Sequence, residues 1–151
     1  MRRPLLLLLT LLPLATLAGL PLIATLEELA READHVLVGR VNGVDMIDGK
    51  GAPITNPQAR TGPGMGTTIR LSVQVEEVLA STTKDVPTQL WVPLDAEMHY
   101  SLGQIRAAHA EVSPPVLVFL KDDRFQPIKP GVFLRPISDR EATLKLRAAG
   151  R

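Results

Sequence analysis

Between Thr68 and Val75 apolar and polar residues alternate without a break. Ile69, Leu71, Val73 and Val75 stand against Thr68, Arg70, Ser72 and Gln74. Side chains of a strand point to opposite faces with a period of two, so this segment predicts a β-strand with one buried and one wetted face. A strand of this kind needs a sheet around it, and the rest of the chain offers the partners. His35-Val36-Leu37-Val38-Gly39-Arg40-Val41 is an apolar run suited to a buried strand, and Gln89-Leu90-Trp91-Val92 is another strand, stopped by Pro93. Pro114-Pro115 introduces Val116 to Leu120, too short and too β-branched for a helix and therefore a central strand. Phe125 to Ile128 adds a short strand before the Pro130-Gly131 turn.

Ahead of the strands, Thr25 to Ala33 reads as a short helix. Leu26, Leu29, Ala30 and Ala33 recur at spacings of three and four, and Thr25 with Glu28 forms a Thr-x-x-Glu capping box. A second short helix is expected from Ile105 to Ala110. Residues 45–66 carry five glycines and three prolines, which predicts a long flexible loop between strands. Glu76-Glu77 marks a bulge where the alternating strand leaves the sheet. For residues 138–149 two readings compete. Ser138-x-x-Glu141 is a capping box that would open a helix, whereas Ala142, Leu144, Leu146 and Ala148 alternate with Thr143, Lys145 and Arg147 as a strand would. With Val132 to Ile137 as the first arm, a hairpin turning at 138–141 is the favoured reading.

The fold expected from these elements is mostly β, a small barrel or sandwich of about five strands with a short N-terminal helix and a long flexible loop. Residues 35–148 form one β-rich domain behind a linker and short helix at 19–34.

Residues 1–18 bear on destination. Arg2 and Arg3 precede an apolar run from Leu5 to Leu12 that continues through Leu14, Ala15, Leu17 and Ala18, the order of a secretory signal peptide. Thr16-Leu17-Ala18 places the cut before Gly19, with an alternative cut after Ala24. An uncleaved membrane anchor is the rival reading, since Leu5 to Leu22 approaches the roughly 20 residues of a spanning helix. Pro13, Gly19 and Pro21 interrupt such a helix. The expected location is secreted or periplasmic, with contact to a membrane only through this segment if it stays attached.

Removing residues 1–18 lowers Lys plus Arg from 17 to 15 against 16 acidic residues, a net charge of −1. That lacks the basic footprint of a nucleic-acid binder or of a protein held on anionic lipid. There is no cysteine, hence no disulfide framework, no thiol nucleophile and no Cys-ligated zinc. Trp91, Tyr100, Phe119, Phe125 and Phe133 are the only aromatic residues, too few for a stacking platform once a core is filled.

The order Ala33-Asp34-His35-Val36-Leu37-Val38-Gly39-Arg40-Val41, then Ile69 to Leu79 with its Val75-Glu76-Glu77-Val78-Leu79, then Pro115-Val116-Leu117-Val118-Phe119-Leu120-Lys121, resembles the netrin-module and tissue-metalloproteinase-inhibitor group of OB-fold proteins and their simpler secreted bacterial relatives. The resemblance covers roughly residues 30–135 and implies that the mostly-β domain is a small five-to-six-stranded OB-like barrel. Inhibitors of that group use an N-terminal cysteine to chelate zinc and disulfides to hold their loops; this chain has neither, so that mechanism does not transfer.

Candidate chemistry is sparse. Asp95, Glu97 and His99 would share one face of an extended segment, and with His109 they could be drawn as a metal site. A solvated polar loop explains the same residues. His35, at the helix–strand junction, reads as a partly buried hydrogen-bonding residue. Gly62-Pro63-Gly64-Met65-Gly66-Thr67-Thr68 precedes a strand and carries no lysine, so it reads as a turn rather than a phosphate cradle. Ser72 has no identifiable base, and Glu76-Glu77 and Asp122-Asp123, as neighbours on strands, point apart. Trp91, between inward-pointing Leu90 and Val92, would face outward as a contact surface or a lid, although core packing is the simpler expectation. No catalytic, cofactor-binding or metal residues are assigned, and no cofactor is called for. The reading is an exported, non-enzymatic binding or protein-interaction module whose partner is a protein or cell-envelope component. The alternatives are a metal-dependent or hydrolytic enzyme using His99, His109 and nearby carboxylates, and an envelope protein anchored by its N-terminal helix.

Overall fold

A computed structural model describes residues 23–111 and 113–150. The signal-peptide reading and the cut before Gly19 fall outside them. Ala24, at the alternative cut, is buried in a cluster with Leu29 and Phe119.

Helix α1 spans Leu26–Glu32 and opens on the expected capping box. Glu28 N–H donates to Thr25 Oγ1 at 3.1 Å while Glu28 Oε2 accepts from the Thr25 backbone at 2.8 Å, which satisfies donors that a helix start leaves open. Strands β1 (His35–Asp48) and β2 (Thr67–Ala80) are each fourteen residues long and pair antiparallel. Strand β3 (Gln89–Pro93) pairs with β2. Helix α2 (Leu102–Ala108) starts at a second capping box, Ser101 with Gln104, three residues earlier than expected. Strand β4 (Val116–Lys121) pairs with β1, and the short β5 (Gln126–Pro127) and β6 (Leu134–Pro136) both pair with β4. Helix α3 (Arg140–Ala149) follows a 3-10 turn.

The result is one antiparallel sheet in the order β3-β2-β1-β4-β5, with β6 beside β4. Its class is mostly β, as expected, but the sheet does not close into a barrel. The end strands β3 and β5 approach each other without a ladder of hydrogen bonds. The seam between them is a cleft of about 320 Å3 lined by Pro93, Gln126, Pro127 and Pro130 among others. Pro93 in β3 and Pro127 in β5 have no N–H to give to such a ladder.

The run at 35–41 is continuously apolar because β1 is covered on both faces. Leu37 and Val41 face one cluster with Leu71, Val73, Leu90, Val92, Val118 and Phe133. Val36 and Val38 face the other, where Leu117 and Phe119 meet Leu29 and Ala33 from the α1 side. The register confirms the split, pairing Val36 with Phe119, Leu37 with Val118 and Val38 with Leu117. The Glu76 bulge is present: Val38 pairs with Glu77 and Gly39 with Val75, so Glu76 is the extra residue. The strand does not leave the sheet there but continues to Ala80.

Two expectations are corrected. Residues 45–48 belong to β1 rather than to a loop, and the segment after them is tied back by Ile54 N–H to Met46 O at 2.8 Å and Thr61 N–H to Tyr100 O at 2.9 Å. Residues 140–149 form a helix, not the second arm of a hairpin. Ala, Leu, Lys, Arg and Glu are strong helix formers, and their summed propensity outweighs a two-residue alternation that marks no buried face, since Leu144 is exposed. The helix also satisfies partners a hairpin would miss. The Arg147 guanidinium donates to the carbonyls of Ala30 (2.8 Å) and Ala33 (2.9 Å) at the end of α1, where backbone acceptors stand open. At its other end, Arg140 grips Glu77 beside the bulge with two hydrogen bonds of 2.6 Å. That contact holds the Glu77 carboxyl below the usual carboxylate range.

Candidate interaction face

Strands β1, β2 and β3 turn one polar face outward, and register sets its rows. Asp45 lies opposite Arg70 and Arg70 opposite Pro93; Ser72 lies opposite Trp91; Arg40 lies opposite Gln74 and Gln74 opposite Gln89. Leu90 and Val92 are buried in the core, so alternation drives Trp91 to the outside, where it is 42% exposed. The chain's only tryptophan is therefore a surface residue rather than a core residue.

Its ring is held rather than loose. The Arg70 guanidinium lies 5.1 Å from the ring centroid, within cation–π range. Arg70 is fixed in turn by a two-pronged contact with Asp45, Nε to Oδ1 at 2.9 Å and Nη2 to Oδ2 at 2.5 Å. Hydrogen bonding to that carboxylate holds the Arg70 guanidinium above its ordinary range. Two residues along β2, Ser72 is buried and donates to Asn42 Oδ1 at 2.7 Å while accepting from Gln89 Nε2 at 2.6 Å. Neither partner is a base, so Ser72 braces the face and has no route to a nucleophilic alkoxide. Arg40 completes the row by pairing with Glu76 and donating to Ser113 O at 3.2 Å.

Beside these rows a cleft of about 260 Å3 opens between the sheet and the end of α2, lined by Arg40, Asn42, Gln74, His109 and Glu111 among others. Partial burial pushes the His109 imidazole below its usual range, which favours its neutral form.

The remaining candidates separate in space. Asp95 Oδ1 accepts from the Glu97 backbone at 3.0 Å, the bond of a local turn. His99 sits against Gly62 in the 49–66 segment, and His109 caps the far end of α2. Among the described residues no three His, Asp or Glu side chains converge as a metal ion would require. His35 is fully buried, with Nδ1 2.8 Å from Ser81 Oγ, Nε2 3.0 Å from Asp122 O, and its ring on Phe125. It ties the start of β1 to two loops, the structural role expected of it. The 62–68 segment is a turn into β2, with Met65 N–H on Gly62 O at 3.1 Å.

Sequence reasoning put Ser72 on this face, favoured the core for Trp91 against its parity, and missed Arg70 and Asp45 as the pair that fixes the ring. Arg70 shares the parity of Ser72 and could have been put on the same face. Asp45 could not, because it had been assigned to a loop. No protein-family model, curated protein or solved structure matches this chain.

Proposed function

We propose that the chain is an exported, non-enzymatic interaction module that engages a protein partner through the outer face of β1–β3, with Trp91 as the anchor. The observation that carries this reading is an exposed tryptophan whose ring is already oriented by Arg70 and, through it, by Asp45. Tryptophan and arginine dominate binding energy at protein interfaces, and a side chain ordered before contact gives up less entropy on binding. The polar rows of Gln74, Gln89, Arg40 and Glu76 around the ring supply a rim that hydrogen-bonds while the anchor desolvates.

An open OB-like architecture is part of the same proposal. It is supported by the strand order β3-β2-β1-β4-β5, by α2 lying between the third and fourth strands, and by the approach of β3 to β5. In that architecture the second and third strands form the usual ligand face, and these are the strands bearing Arg70 and Trp91. Export rests on the arginine-led apolar run of residues 1–18.

Cross-linking in the producing cells tests the reading. A photoreactive residue at position 91 is expected to give one discrete protein adduct, while the same residue at Lys145, on exposed α3, gives none. Equal labelling from both positions, or no adduct from position 91, would overturn the assignment of this face.

A further inference from the structure

A different surface carries soft-ligand chemistry. The segment before β2 and the segment before α2 are latched together: the buried Thr61 donates through Oγ1 to Met98 O at 2.6 Å, and its N–H reaches Tyr100 O at 2.9 Å. This latch sets Gly62 under the His99 ring. A Cβ at residue 62 would stand 2.8 Å from His99 Nδ1 and 3.3 Å from Met65 Sδ. An imidazole nitrogen and a thioether sulfur therefore border the same methyl-sized space, which only glycine leaves open.

Neither side chain is there to fill a core. Met65 is 51% exposed and His99 is exposed as well, unlike Met46, which is buried. Among the described residues no group hydrogen-bonds to the His99 ring. Met65 leaves half of its surface in water, so its thioether stays open to a ligand beside the imidazole.

We propose that Met65 Sδ and His99 Nδ1 form a binding site for a soft monovalent cation, Cu(I) or its analogue Ag(I). Thioethers are neutral, polarizable donors that select Cu(I) over magnesium, calcium or manganese, which want oxygen. Zinc is served poorly here, because its sites rest on thiolate, imidazole and carboxylate, and among the described residues no three such donors converge. The site is independent of the Trp91 face and differs from the Asp95–Glu97–His99–His109 set, whose members do not meet.

Anaerobic titration of the full chain with Cu(I), in competition with a coloured Cu(I) chelator, tests the proposal. One equivalent is expected to leave the chelator for the protein. Met65→Leu and His99→Gln are each expected to weaken binding at least tenfold without moving the thermal unfolding midpoint. A parallel Ag(I) titration by NMR on the unmutated chain should shift the Met65 methyl and His99 ring signals and leave the Met46 methyl in place. Failure of the protein to take Cu(I) from the chelator, or binding that both substitutions leave unchanged, would overturn the site. Movement of the Met46 signal in step with Met65 would do so too, by showing nonspecific thioether contact.

Discussion

Replacing Gly39 with valine is expected to lower stability by about 3 kcal/mol, the upper end of the cost of forcing atoms into a packed interior. The reason is a close approach of two backbones. A Cβ at residue 39 would lie 2.8 Å from Gln74 O and 2.8 Å from Val73 Cγ1, both in the neighbouring strand. The carbonyl belongs to the β1–β2 ladder and cannot swing aside without breaking it, and Gly39 stands next to the Glu76 bulge where the register has just shifted. The strand would have to part from β2, and the outer face would lose the alignment of Arg40 with Gln74. A melting temperature lower by roughly 10 °C is the expected reading for a domain of this size. An unchanged midpoint would mean that β1 and β2 do not approach as closely as described.

Truncating Phe119 to alanine is expected to cost about 4 kcal/mol, within the range for deleting a large buried aromatic. Phe119 has no exposed surface; it pairs with Val36 and packs in the cluster that includes Leu29 and Ala33. It lies on the opposite side of the sheet from Leu37 and Val118. Its loss opens a cavity between the sheet and the helical layer, where neighbours already held by the β1–β4 ladder can close in only partly. Equilibrium urea unfolding measures the change. A cost under about 1 kcal/mol would show that α1 does not cover this face and that the sheet has a single core.

The parts of this fold that were legible in the sequence are those in which burial imposes a period. Ile69 to Val75 alternates because one side is core and the other is the polar face, and Leu90-Trp91-Val92 repeats the pattern over three residues. The same parity argument puts Trp91 outside, yet the pull of packing a large aromatic argued the other way, and the structure sides with parity. The Thr25–Glu28 box was readable because capping is local chemistry between residues three apart. What was not readable depended on distant partners. Alternation at 142–148 imitated a strand, and the deciding contacts run from Arg147 to carbonyls of Ala30 and Ala33, more than a hundred residues away. The Asp45–Arg70 pair was hidden because glycines and prolines further along made 45–48 look like loop, while those residues pair with Thr67 to Arg70. Closure of the sheet was beyond pattern altogether, since it turns on how β3 and β5, distant in sequence, meet at the seam.

The most direct test of the central claim is the affinity of the partner captured from position 91, purified and titrated against the Trp91→Ala chain. Loss of at least tenfold in affinity, about 1.4 kcal/mol or more, with unfolding unchanged is the result expected of an interface anchor. Equal affinity of the two proteins would contradict it and would move the binding face away from β1–β3.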